Sequence, residues 1–179
     1  MTNTATSRYT LPAIVLHWVL ALAIIGALVL GAYMTDLPFS PARLKLYNWH
    51  KWLGVCILAL SVVRLLWRLT HRPPADVAMP AWQARAAHAT HVAFYLLFFA
   101  VPLAGWAYSS AAGFPIVLFG VLPLPDFVQA NRELAETTKP LHGTLAWALA
   151  ALVVVHVGAA LKHHFIDEDG LLHRMRPGR

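Results

Sequence analysis

The sequence predicts an all-α fold, a four-helix bundle integral to a membrane. Three observations carry that prediction. Hydrophobic residues make up 59 % of the 179 residues and charged ones 12 %, where soluble domains hold roughly 45–50 % and 25 %. No Asp, Glu, Lys or Arg falls between Arg8 and Asp36, between Arg85 and Asp126, or between Lys139 and Lys162, and about 20 apolar residues suffice to cross the hydrocarbon of a bilayer. A fourth apolar run, 46–69, is broken only by Lys51 near one end and by Arg64 and Arg68 near the other. Long basic side chains near helix ends can carry their charge out to the interface.

Taken in order, the first helix is expected over 12–34, with Pro12 in a first turn where its missing N–H costs nothing. Its apolar run exceeds the 7–15 residues of a signal-peptide core, so it reads as a retained helix. The second is expected over 46–69 and the third over 88–110. The fourth is expected over 140–163, with Pro140 again in the first turn. The connections hold Pro38 and Pro41; Pro73, Pro74 and Pro80; and Pro115, Pro123 and Pro125. A short surface helix is expected near 127–138. No repeat or low-complexity tract interrupts the chain, so 1–179 reads as one transmembrane domain. Cys56 is the single cysteine, which excludes an internal disulfide, a Cys-rich metal site and a C-x-x-C-H haem attachment.

Lys and Arg concentrate on the cytoplasmic side of membrane proteins. With both termini on one side, that side carries Arg8, Arg64, Arg68, Arg72, Arg85, Lys162, Arg174, Arg176 and Arg179, against Arg43, Lys45, Lys51, Arg132 and Lys139 on the other. Both termini are therefore expected in the cytoplasm. This bias explains most of the +6 formal charge, so the charge is not read as nucleic-acid binding. Trp18, Trp49, Trp52, Trp67, Trp82, Trp106 and Trp147 fall mostly near span ends, as an aromatic belt requires.

The chain has ten histidines, and imidazoles within spans are rare and usually functional. His17 lies early in the first helix, near the cytoplasm. His50 opens the second helix and His142 the fourth, both on the far side. His156 lies in the last third of the fourth helix. His142 and His156 are 14 residues apart, about 21 Å along the axis and about 40° short of four turns. Both rings thus leave one face at two depths. Depth matches His17 with His156 and His50 with His142. A lone histidine on such a helix is usually a hydrogen-bonded packing residue; four that pair by depth suit two stacked bis-histidine haems inside the bundle. Zinc or di-iron is a weaker fit, because no Glu or Asp lies inside any expected span to join the imidazoles. With both axial positions taken, the iron is suited to outer-sphere electron transfer rather than oxygen binding.

Several stretches together resemble the bacterial cytochrome b561 family: LHW at His17, NWHKWLG at His50, VVRLLWRL at 62–69, AHATHVAFYLLF at 87–98, LHGTLAW at His142 and VVHVGAALKHHF followed by LLHRMRP. The resemblance runs from about Arg8 to Pro177. It implies a bacterial inner-membrane protein with two non-covalent haems b on His17, His50, His142 and His156. Because the family includes a superoxide:ubiquinone oxidoreductase, it also implies oxidation of periplasmic superoxide to dioxygen with reduction of ubiquinone. By the same resemblance a quinone headgroup is expected at His163, which shares the face of His156 about 10 Å nearer the cytoplasm. An interfacial histidine wetted by lipid headgroups is the alternative there.

His88 and His91 are spaced i, i+3 on one face and could bond a haem propionate or the quinone. Arg64 and Arg68 could clamp propionates bidentately, although topology alone would also place them there. Arg43, Lys45 and Lys51 face the periplasm and could raise the encounter rate of a small anion such as superoxide; lipid headgroups could equally account for them. Besides a superoxide:quinone oxidoreductase, the sequence allows a haem b anchor subunit passing electrons between a partner dehydrogenase or hydrogenase and quinone. A histidine-lined metal transporter is a third class, and it alone predicts no haem absorbance.

Overall fold

The computed structural model of the chain describes residues 8–176; Arg179, counted above in the charge bias, lies outside them. Four long helices follow one another: α1 Leu11–Thr35, α2 Pro41–Thr70, α3 Ala81–Ala111 and α4 Arg132–Phe165. All four are long and apolar enough to cross a membrane. Their outward faces are apolar too: Leu22 is 70 % exposed and Val154 72 %. In water each such side chain would forgo roughly 1.5–3 kcal/mol of burial, whereas lipid accepts it.

Three helices begin earlier than expected, because their polar opening turns are capped. Ser40 accepts the Arg43 N–H at 3.2 Å, which starts α2 at Pro41 rather than at 46. The Pro80 carbonyl accepts the N–H groups of Gln83 and Ala84, which starts α3 at Ala81 rather than at 88. Asn131 accepts the Leu134 N–H at 2.9 Å, and Arg132 pairs with Glu136 one turn on at 2.7 Å. The expected surface helix near 127–138 is therefore not separate: 127–131 is irregular and 132–138 forms the opening turns of α4. Pro140 accordingly sits inside α4 rather than in its first turn. The carbonyl it cannot satisfy belongs to Glu136, an exposed residue that water reaches.

Between α3 and α4 a short hairpin, β1 Val117–Leu118 and β2 Leu122–Pro123, pairs antiparallel with Val117 opposite Pro123 and Leu118 opposite Leu122. Its Pro-rich sequence has no strand periodicity, so nothing in the sequence announced it. Lys51 donates to the carbonyls of Phe114 and Pro115, and Trp52 Nε1 donates to Val117 at 2.7 Å. These bonds fasten the hairpin to α2.

Each helix packs on its sequence neighbour, while α1 and α4 scarcely touch. The buried core is a layer made of Leu20 and Ile24 from α1, Ile57 from α2, Phe94 and Phe98 from α3, and Leu149 from α4. Leu149 lies midway in sequence between His142 and His156, so this layer separates the two histidine levels.

Past α4 the chain turns at Gly170 (φ 75°) into a 3₁₀ turn at Leu172–Met175 and straps back to the start of α1. Trp18 Nε1 donates to the Met175 carbonyl at 2.8 Å, Arg8 to the Arg176 carbonyl at 2.7 Å, and the Tyr9 N–H to Arg174 at 3.3 Å. The strap crosses the one side of the bundle that direct helix packing leaves open.

Candidate functional site

At the level next to the hairpin, His50 of α2 and His142 of α4 face each other with ring centroids 6.1 Å apart. His142 donates from Nδ1 to the Val101 carbonyl of α3 at 2.9 Å, which leaves Nε2 as the nitrogen with a free lone pair. The ring approaches so closely because α3 has Gly105 there: a Cβ would stand 2.9 Å from His142 Cε1 and 3.0 Å from Nδ1. His50 repeats the device against α1, where a Cβ on Gly31 would stand 3.1 Å from its Cε1. His50 Nδ1 is buried with no hydrogen-bond partner among the described residues. For His142 the accepting carbonyl lies four residues before the glycine, on the turn that the missing Cβ exposes.

At the other level His17 of α1 and His156 of α4 have ring centroids 6.2 Å apart. His91 of α3 lies 5.9 Å from His156, so distance alone does not choose between them. His91 and His156 stand on helices packed closely together, whereas His17 faces His156 between α1 and α4, which scarcely touch. Phe94 packs edge-on to His156 at 5.2 Å. Arg64 Nη2 lies 3.2 Å from His17 Nδ1. Since guanidinium only donates, that contact requires the His17 proton on Nε2.

Two imidazoles on opposite sides of one metal ion have centroids about 6.3 Å apart, given metal–nitrogen bonds of about 2.0–2.1 Å and about 1.1 Å from nitrogen to ring centre. Both facing pairs meet that spacing. Among the described residues, neither pair has a third His, Cys, Asp or Glu close enough to complete a shared site. Such pairs suit a metal that carries its own equatorial donors, as haem iron does, and do not suit tetrahedral zinc or a di-iron centre.

The remaining expected residues divide. Arg68 lies one turn beyond Arg64 on α2, and His88 is exposed one turn before His91; neither has a hydrogen bond assigned among the described residues. Arg43 donates to Tyr47 at 3.3 Å and Lys45 lies 5.2 Å over the Trp49 ring, so both charges stay near the surface. Lys51, tied to two hairpin carbonyls, is the least available of the three. His163, near the end of α4, is 12 % exposed and bonds through Nδ1 to Asp169 Oδ2 at 2.6 Å. Burial acts to push the Asp169 carboxyl up, but the Leu171 N–H, the His163 ring and the Arg174 charge outweigh it and hold it below the usual carboxylate range.

Asp169, Gly31 and Gly105 were not among the expected site residues. An isolated glycine in an apolar helix often marks a close approach, so Gly31 and Gly105 carried a faint signal. Asp169 lies within a run of acidic residues after α4, which reads as solvated charge.

A family model described as prokaryotic cytochrome b561 matches residues 8–178. The chain is 37 % identical to cytochrome b561 homolog 2 of Escherichia coli K12, an alignment covering 97 % of this chain and 93 % of that protein. It is 32 % identical to cytochrome b561 homolog 1 of the same organism, over 97 % and 99 %. It is 33 % identical to the probable superoxide oxidase CybB of Yersinia pestis, over 95 % and 96 %.

Proposed function

This chain belongs to the prokaryotic cytochrome b561 family of haem b electron carriers, and from that premise we propose that it carries two haems b and moves electrons from superoxide to quinone across the bacterial inner membrane. The observation that carries the proposal is the pair of facing imidazoles at each of two depths, 6.2 Å and 6.1 Å apart. His17 and His156 would hold the haem nearer the termini, and His50 and His142 the haem nearer the hairpin. When bound, the haems would supply one-electron redox chemistry.

The chain's residues do the rest. Val101 and Gly105 seat His142 with Nε2 directed away from the α3 backbone. Were His17 to hold a haem through Nε2, its proton would sit on Nδ1 and the Arg64 contact would give way, leaving that guanidinium for a propionate; Arg68, His88 and His91 are the other polar groups toward that end. His163 would meet the quinone headgroup. The balance is two superoxide anions, one quinone and two protons giving two dioxygen and one quinol. The Yersinia relative's name and the surface charges of Arg43 and Lys45 support superoxide as donor. The excess of Lys and Arg on the side of the termini supports a cytoplasmic place for both ends.

The test is haem quantification and a reduced-minus-oxidised spectrum of the purified protein, then a superoxide pulse with short-chain ubiquinone present. Two haems per chain, reduced by superoxide and reoxidised by quinone, are expected. Haems inert to superoxide yet reduced by a partner dehydrogenase would make the chain an anchor subunit instead.

A further inference from the structure

Everything that holds His163 lies in the strap beyond α4. Asp169 Oδ2 bonds His163 Nδ1 at 2.6 Å while Oδ1 accepts the Leu171 N–H at 2.9 Å, so an Asx turn fixes the carboxylate from both oxygens. The two side chains are 12 % and 16 % exposed. Asp167 approaches the same nitrogen at 3.3 Å, but Lys162 Nζ holds its two oxygens at 2.8 Å and 2.6 Å. The charged groups around His163 are thus Lys162 on α4, Asp167 and Asp169 in the turn, and Arg174 acting on Asp169 from the 3₁₀ turn. Asp169 is the nearer of the two carboxylates to the ring and the one that no lysine holds.

We propose that Asp169 orients His163, so that His163 Nε2 delivers the protons that quinone takes up on reduction. The proposal rests on the reading that quinone meets His163. A carboxylate on Nδ1 keeps a proton there, so Nε2–H exists only in the imidazolium. As electrons derived from superoxide reach the quinone, an O–H bond forms at its carbonyl oxygen and the Nε2–H bond breaks. The neutral ring keeps Nδ1–H on Asp169, and water returns a proton to Nε2 before the second transfer. Asp169 stays ionised throughout, so it is a positioning residue.

The experiment uses the holoprotein. In Asp169→Asn the amide can donate to Nδ1, which forces the neutral tautomer with its proton on Nε2 and removes the carboxylate. Both haems and their reduction by superoxide should persist. Oxidation of the pre-reduced protein by ubiquinone-1 should slow on the order of 10²-fold, the low end for a positioned acid. Its dependence on pH should differ from that of the wild type, because the ring has lost the carboxylate on Nδ1. Asp169→Glu should recover part of the rate and the original pH profile, and Asp167→Asn should change neither. Trp18→Phe loosens the strap without touching the carboxylate. If it reproduces the slowed rate and the moved pH profile, Asp169 is only structural and the proposal falls. Slow oxidation in His163→Ala with a normal rate in Asp169→Asn overturns the role of Asp169 alone. A normal rate in His163→Ala overturns the quinone site, and this proposal with it.

Discussion

Adding one methyl group at Gly105 separates the seating of a ligand from the stability of the fold. A Cβ there would stand 2.9 Å from His142 Cε1 and 3.0 Å from Nδ1, where ordinary contact begins at 3.4 Å. The ring must therefore retreat by about half an ångström, the margin within which metal ligands must be held. The retreat stretches the 2.9 Å bond from Nδ1 to Val101. Loss of such orienting partners lowers metal affinity about 10–100-fold, or about 1.4–2.8 kcal/mol. Alanine in place of glycine in a helix interior is itself worth about 0.5–1 kcal/mol of stability, so the two effects oppose each other. Gly105→Ala should melt no earlier than wild type as apoprotein, yet lose or loosen one haem, with one midpoint potential moved and the other unchanged. Gly31→Ala should act on the same haem more mildly, because its Cβ would meet His50 Cε1 at 3.1 Å. Gly54 and Gly158 have nothing within 4 Å of an added Cβ, so their alanine variants are the controls. The measurements are haem per chain and a spectroscopic redox titration. Equal haem content and unmoved potentials in Gly105→Ala and Gly158→Ala would refute the cradle.

Two further outcomes are expected. His17→Ala and His156→Ala should remove the same haem and His50→Ala and His142→Ala the other, as read from absorbance and EPR; a His91→Ala variant that loses the first haem while His17→Ala keeps it would reverse the pairing at that level. Reversing Arg43 and Lys45 to Glu should slow haem reduction by superoxide about tenfold at low salt, within the usual range for electrostatic steering, and the difference should shrink as ionic strength rises. A salt-independent rate would leave those side chains to the lipid surface.

Four spans were legible because lipid imposes length and apolarity on each segment separately, without reference to tertiary contacts. Helix starts were less so. Ser40, Pro80 and Asn131 cap turns whose polar residues resemble loop, and only the hydrogen bonds reveal the difference. The proposed ligand pairs were legible because α4 carries two histidines at fixed rise and angle, so depth alone could match them with His17 and His50. Depth does not distinguish His17 from His91, which lie at similar levels on different helices; the packing of α4 on α3 supports His17 as the proposed partner. The glycine cradles and Asp169 depend on which helix faces which, and on how the chain turns back after α4. No single-segment pattern holds that information.

The layer of Leu20, Ile24, Ile57, Phe94, Phe98 and Leu149 between the two histidine levels decides what can cross the bundle. The six side chains of the layer are all aliphatic or aromatic, so none of them can relay a proton. Electrons passing between the proposed haems would cross it unaccompanied, while quinone would draw its protons from the face where His163 lies. Each turnover would then separate charge. Were both termini in the cytoplasm, as proposed, negative charge would move inward against a potential that is negative inside, at about 2.3 kcal/mol per electron for each 100 mV. The protein would thereby help to energise the membrane, and a fully energised membrane would in turn slow it.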